Sequence, residues 1–311
     1  MIKNSVSDCH KRIESLIHNT PVLTSSLLNE ISSARLFFKC ENFQRAGSYK
    51  IRGATNAIIN LSEKDKSNGV VTHSSGNFAQ ALSLAAKSVG VKATIVMPTS
   101  APKVKIDAVK QYNDNVIMCE PTLEAREETA KSIVNKTGAT FIHPSNNTDV
   151  IVGQGTAAYE LLREQPNLDV IFCPIGGGGL IAGTCLAAKS HSQDCNVYGG
   201  EPFEVDDAYR SLISGKIETN ASANTIADGL KTQLGDKNFP IIKAHVSAVI
   251  RVTETEIVDA MKLVWERMKI IIEPSSAVAV AAILKSKAQF KNKKIGIIIS
   301  GGNVDLTKLP F

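Results

Sequence analysis

Lys50 is the residue of this chain most suited to covalent chemistry. It stands in Glu41-Asn42-Phe43-Gln44-Arg45-Ala46-Gly47-Ser48-Tyr49-Lys50-Ile51-Arg52-Gly53-Ala54, between turn residues and the start of an apolar-faced helical pattern. An amine near a helix N-terminus is disfavoured as an ammonium by the helix dipole, which favours the free base that Schiff-base formation needs. Three further stretches have residue types that hold anions or cations. Ser74-Ser75-Gly76-Asn77 puts small hydroxyls and bare amides ahead of a helix, a nest suited to the α-carboxylate of an amino acid. Gly176-Gly177-Gly178-Gly179 follows an apolar strand and precedes a helix, where bare amides can cradle phosphate. Glu201, Glu204, Asp206 and Asp207 gather carboxylate oxygens of the kind hard divalent cations prefer.

The elements that must position these groups alternate between strand and helix. Arg35–Cys40 reads as a strand, and Gly53–Ile59 continues a helix from Lys50. Gly69–His73 and Val91–Pro98 read as strands, Ala101–Tyr112 as helix, Asn115–Cys119 as strand, and Leu123–Lys136 as helix. Gly138–Pro144 reads as a strand leading into a polar crossing, Ser145–Asp149, with a helix beginning near Gly153. Asp169–Ile175 is nearly continuous in apolar residues, as a buried parallel strand is. Glu256–Lys269 reads as an amphipathic helix, Ile270–Pro274 as a strand and turn, Ser275–Lys287 as helix, and Lys294–Ile299 as a core strand ending at Ser300.

The Lys50 segment resembles the cofactor-lysine motif of the fold-type II pyridoxal-phosphate enzymes, and within them the serine racemase and serine/threonine dehydratase branch. Ser74-Ser75-Gly76-Asn77, the four glycines and Ser300-Gly301-Gly302-Asn303 match in the same order, so the resemblance runs from Thr20 to Asp305. It implies an α/β, two-domain, tryptophan synthase β-like fold with parallel-type sheets flanked by helices. Residues 1–66 and 147–311 would form the large cofactor-binding domain, and 67–146 a small inserted one. Two chain crossings between them make closure over the cleft an expectation.

The resemblance also implies residue roles. Lys50 would carry pyridoxal phosphate, Asn77 would bond its phenolic oxygen, Gly176, Gly177, Gly178 and Gly179 its phosphate, and Ser300 its pyridine nitrogen. Ser74, Ser75, Gly76 and Asn77 would hold a small amino acid substrate, with Ser75 facing Cα opposite Lys50. Glu201, the carbonyl of Val205 and Asp207 would hold Mg2+ or Ca2+. Ser25, Ser26, Gln80 and Tyr112 would touch ATP as an effector. The chain departs from the pattern at Arg45-Ala46, where animal enzymes of this kind have Lys-Thr, and at Phe78, where a histidine is common. The implied reaction is interconversion of L- and D-serine with β-elimination to pyruvate and ammonia. The alternative is a dehydratase of L-threonine, L-serine or 3-hydroxyaspartate without racemisation, and a further alternative is a non-catalytic cofactor carrier.

Gly177-x-Gly179-x-x-Ala182 with Glu201 downstream also satisfies a loose dinucleotide fingerprint, the mark of a nicotinamide dehydrogenase. That reading leaves Lys50 and Ser75 unexplained.

Composition narrows the classes. With 311 residues, 43% hydrophobic and 21% charged, the chain can bury one large core or two medium ones. Its net charge of +5 is spread without a basic run, which argues against nucleic acid. Met1–His10 has no apolar core of a signal peptide and no stretch is long enough to cross a bilayer, so no membrane partner and a soluble cytoplasmic location are expected. The resemblance implies a homodimer, and from the chain's length a stand-alone catalytic unit without a regulatory domain after Phe311 is expected. Cys9, Cys40, Cys119, Cys173, Cys185 and Cys195 lack paired spacing and read as small hydrophobes.

Overall fold

The computed structural model describes residues 5–113 and 115–311; the start of the leader reading, residues 1–4, lies outside them. The strands are β1 (Val22–Leu23), β2 (Arg35–Cys40), β3 (Val70–His73), β4 (Ala93–Pro98), β5 (Val116–Cys119), β6 (Thr140–Phe141), β7 (Val170–Pro174), β8 (Asn196–Pro202), β9 (Val246–Val252) and β10 (Lys294–Ile299). The helices are α1 (Val6–Ile13), α2 (Ser26–Ser32), α3 (Lys50–Ile59), α4 (Glu63–Asn68), α5 (Asn77–Ser88), α6 (Lys103–Lys110) and α7 (Leu123–Thr137). They continue with α8 (Thr148–Glu164), α9 (Gly179–His191), α10 (Asp207–Ser214), α11 (Phe239–His245), α12 (Glu254–Met268) and α13 (Pro274–Lys285).

Two sheets result. The larger has the order β1-β2-β10-β7-β8-β9, parallel except for the antiparallel β1-β2 pair. The smaller, β5-β4-β3-β6, is parallel throughout. β7 is buried at every position because helices cover both faces of the large sheet, which explains its unbroken apolar sequence. β9, at the sheet edge, is mostly half-buried and has a weaker apolar signal.

Three local expectations are corrected. The helix expected near Gly153 begins at Thr148, because the Asn147 side chain accepts from the Val150 amide and caps it. The strand expected over Gly138–Pro144 contracts to Thr140–Phe141. Ile270–Pro274 forms no strand: the Glu273 amide donates to the carbonyl of Gly301, and Pro274 opens α13.

α3, which begins with Lys50, is fixed from two sides. Against α8 the backbones touch, since a methyl on Gly153 would lie 2.6 Å from Cα of Gly53. Beneath it lies a buried ionic cluster. The fully buried Arg52 guanidinium donates to Glu41 Oε2 at 2.7 Å and Oε1 at 2.8 Å, and to Glu160 Oε1 at 2.7 Å and Oε2 at 2.8 Å. Lys39 reaches Glu160 at 2.6 Å, and Thr20 donates to Glu41 at 2.5 Å. Both carboxylates are thus neutralised and hydrogen-bonded, the condition under which buried charge is tolerated. Glu41 and Arg52 flank Lys50 in the sequence, so this cluster ties the lysine's turn and helix to the large sheet.

Candidate active site

Lys50 opens α3. Its Nζ lies 3.5 Å from the carbonyl of Pro144 and 4.9 Å from the centre of the Tyr49 ring. Burial lowers its pKa to about 8, partly opposed by the negative charge of Glu273. An amine so shifted supplies free base near neutral pH. His143, next to that carbonyl, is lowered to about 4 by burial and then by His73 and Lys50, so it is neutral. Its Nδ1 accepts from the amides of Ser145 and Asn146, at 3.2 and 2.9 Å.

The loop after β3 supplies Ser74, Ser75 and Gly76, all half-buried, and Gly76 caps α5. Nothing lies within 4 Å of where a methyl on Gly76 would sit, so this loop faces open space. Asn77 is held on both sides of its amide. Its Nδ2 donates to Glu273 Oε1 at 3.0 Å and Oε2 at 2.9 Å, while its Oδ1 accepts from Asn303 Nδ2 at 2.9 Å. Asn303 also donates to the carbonyl of Ala46 at 2.8 Å, joining this loop to the Lys50 segment. Phe78, where the sequence departs from its pattern, is buried in the hydrophobic core.

Ser300 ends β10. Its Oγ is 3.0 Å from Ser276 Oγ, which donates to the carbonyl of Gly301 at 2.7 Å and accepts from the Gly301 amide at 2.8 Å. The Tyr49 amide donates to the Ser300 carbonyl at 3.0 Å, so Ser300 and Lys50 are fixed on adjoining backbone.

Gly176–Gly179 turns from β7 into α9, with Gly178 at φ 76°. The turn is also packed from outside: methyls on Gly177 and Gly176 would lie 2.3 Å from Ser145 Oγ and 2.7 Å from Cα of Leu230. Asn238 bonds the carbonyls of Gly177 and Ser145 at 2.8 and 3.2 Å. Ser145 Oγ is buried without a hydrogen-bond partner among the described residues. An orphaned hydroxyl beside bare amides at the N-terminus of α9 fits a phosphate group.

The residues offered for metal are brought together, with Glu201, Val205 and Asp207 all buried around the turn between β8 and α10. Glu201 accepts from the amides of Ala208 and Tyr209, both at 2.9 Å, and Asp207 from Asn220 and the Leu234 amide at 2.7 and 2.9 Å. Burial and the Asp207 charge hold the Glu201 carboxyl well above its ordinary range, and burial raises Asp207 to about 6. Excess buried negative charge of this kind fits a divalent cation. Among the described residues no cluster of three metal-ligating side chains occurs, so backbone and water oxygens would have to complete a shell.

The four nucleotide candidates divide. Ser25 caps α2, accepting from the Leu28 amide, with Ser26 beside it, whereas Gln80 and Tyr112 belong to the part built on the small sheet. Among the described residues no side-chain hydrogen bond links the two pairs.

Glu273, Asn303, Ser145 and Ser276 join the candidate site although the sequence assigned them no role there. For Glu273 a signal exists: a lone carboxylate between Ile270-Ile271-Ile272 and the apolar helix after Pro274. It is 3% exposed, and burial raises its carboxyl to about 7 despite the Asn77 amide.

Comparison with known proteins agrees with this geometry. The family described as pyridoxal-phosphate dependent enzyme matches residues 13–301. Serine racemase of Dictyostelium discoideum is 54% identical, over 98% of this chain and 95% of its own length. A beta-hydroxyaspartate dehydratase of Paracoccus denitrificans is 47% identical, over 97% of this chain and 96% of its own. The crystal structure of the Dictyostelium serine racemase superimposes with a TM-score of 0.93, covering 97% of this chain and 98% of that one. The chain belongs to the pyridoxal-phosphate dependent enzyme family.

Proposed function

We propose that this enzyme interconverts L- and D-serine and also eliminates water from serine, the released aminoacrylate being hydrolysed by water to pyruvate and ammonia. The single observation that carries the reading is the joining of the Lys50 segment, the Ser74–Asn77 loop and the turn after β10 through Asn77, Glu273 and Asn303. Identity of 54% to a serine racemase over nearly the whole chain supports it.

Pyridoxal phosphate, when bound, supplies an electron sink that makes the Cα proton of an amino acid acidic. Lys50 would hold it, Ser145 and the glycine turn would take its phosphate, and Ser300 would face its ring nitrogen. As a neutral hydroxyl, Ser300 does not enforce protonation of that nitrogen as a carboxylate would. Ser74 and the loop amides bind the substrate carboxylate. The Lys50 amine takes or returns the Cα proton on one face, and the Ser75 hydroxyl does so on the other. Loss of the β-hydroxyl before reprotonation gives elimination instead.

Glu201, Val205 and Asp207 would hold Mg2+ or Ca2+ as a structural ion. ATP acting through Ser25, Ser26, Gln80 and Tyr112, a homodimer, a cytoplasmic location and movement of residues 67–146 against the rest complete the proposal. Among the described residues no helix is long and apolar enough to cross a membrane.

The test is to supply the purified protein with cofactor, add L-serine and assay D-serine and pyruvate separately. D-serine formation supports the reading. Pyruvate alone moves it to a dehydratase, for which the 47% identical beta-hydroxyaspartate dehydratase is the specific precedent.

A further inference from the structure

The carboxylates in the turn from β8 into α10 have unlike partners. Glu201 and Asp207 are fully buried, and their oxygens accept only from the amides of Ala208, Tyr209 and Leu234 and from the Asn220 side chain. Among the described residues neither has a cationic side chain within ion-pair distance. Asp206, immediately before Asp207, has two. Its Oδ1 accepts from Arg210 Nε at 2.7 Å, and its Oδ2 accepts from Arg251 at 2.8 Å.

Both guanidiniums start from positions next to the buried pair. Arg210 is three residues after Asp207 on α10, the spacing that sets side chains beside one another. It also donates to Asn220 Oδ1 at 2.9 Å, and the Asn220 amide donates in turn to Asp207 Oδ1 at 2.7 Å. Arg251 on β9 is in register with Glu201 on β8. Its guanidinium nevertheless lies over the rings of Tyr209 and Phe203, 4.0 and 4.5 Å from their centres, and is bonded to Asp206. Asp206 thus takes both positive charges, and two buried carboxylates are left without one.

We infer that Asp206 is a positioning residue of the cation site: it holds Arg210 and Arg251 off Glu201 and Asp207, so that a divalent cation supplies the compensating charge. The inference rests on the Mg2+ or Ca2+ reading under Proposed function. Buried carboxylates without compensation are costly, and guanidinium is a well-matched bidentate partner for them. Once Asp206 is neutral, Arg210 competes with the cation for the same oxygens, while Arg251 keeps its two rings.

Three proteins loaded with pyridoxal phosphate decide the matter: wild type, Asp206→Asn, and Asp206→Asn combined with Arg210→Met. Each is titrated calorimetrically with CaCl2 and with MgCl2 at low and high salt, and is melted in chelator. Asp206→Asn is expected to bind the cation about tenfold to a hundredfold more weakly. The loss should persist in high salt, because a direct competitor is not screened as a distant charge is. In chelator its melting temperature should equal or exceed that of wild type, whereas a merely structural loss of two ion pairs would lower it. The double variant, without the competitor, should regain most of the affinity. Wild-type affinity in Asp206→Asn would overturn the inference. So would a loss that disappears in high salt or that the double variant fails to recover, or a chelated melting temperature below that of wild type. Wild type that binds neither ion would instead overturn the cation under Proposed function, and this inference with it.

Discussion

The side-chain nitrogen of Asn77 lies 3.0 and 2.9 Å from the two carboxylate oxygens of Glu273. This contact joins two elements 196 positions apart in sequence. It holds in burial a carboxyl raised from 4.5 to about 7, first by desolvation.

A pH dependence of stability follows. Because the folded pKa of Glu273 lies above its ordinary value, its contribution is full below pH 4.5 and is lost as pH rises through about 7. The loss is on the order of 3 kcal/mol. Lys50 acts in a different window: its lowered pKa gives stability above pH 10.5 that is lost as pH falls through about 8. In cofactor-free protein, Glu273→Gln should abolish the decline between pH 4.5 and 7 in urea unfolding profiles. Parallel profiles for variant and wild type would contradict this.

Arg52 is the centre of the cluster beneath α3, donating to both Glu41 and Glu160. Arg52→Met leaves two buried carboxylates with less compensation and should cost about 3–5 kcal/mol in urea unfolding. A loss below about 1 kcal/mol would show that the cluster does not hold α3 as described.

The unpartnered hydroxyl of Ser145 beside Gly177 predicts a cofactor contact. Ser145→Ala should weaken pyridoxal phosphate retention roughly tenfold or more, since hydrogen bonds to charged groups contribute about 1.5–3 kcal/mol. Equilibrium dialysis followed by absorbance reads this directly. Unchanged retention would remove Ser145 from the phosphate site.

For the cation, treatment with a chelator should lower the melting temperature, and added Mg2+ or Ca2+ should restore it. Glu201→Gln should be insensitive to both. A wild-type melting temperature unaffected by chelator would contradict the proposed ion.

The candidate site was legible in sequence where residue chemistry and local structure coincide. Lys50 at a strand-to-helix crossing, the Ser74–Asn77 loop and the four glycines each announce a turn ahead of a helix. The four glycines also have a second cause that sequence alone does not show, namely contact of their backbone with Ser145, Leu230 and Leu234. Glu273, Asn303 and Ser276 escaped because their roles arise from partners far away in the chain, and Glu273 was further hidden inside a stretch that reads as strand. Arg52 and Glu41 lay in the quoted motif, yet their pairing becomes apparent only when Glu160 of α8 arrives beside them. The start of α8 was displaced because Asn147, a capping residue, sits in a stretch whose polarity resembles a linker.

The central claim is that Lys50 and Ser75 serve opposite faces of the substrate. Its most direct test is Ser75→Ala, supplied with pyridoxal phosphate and assayed with L-serine for D-serine and pyruvate in parallel. The account predicts loss of D-serine formation by about a hundredfold or more, as when a general acid–base group is removed, with pyruvate formation largely retained. Undiminished racemisation in Ser75→Ala would contradict it.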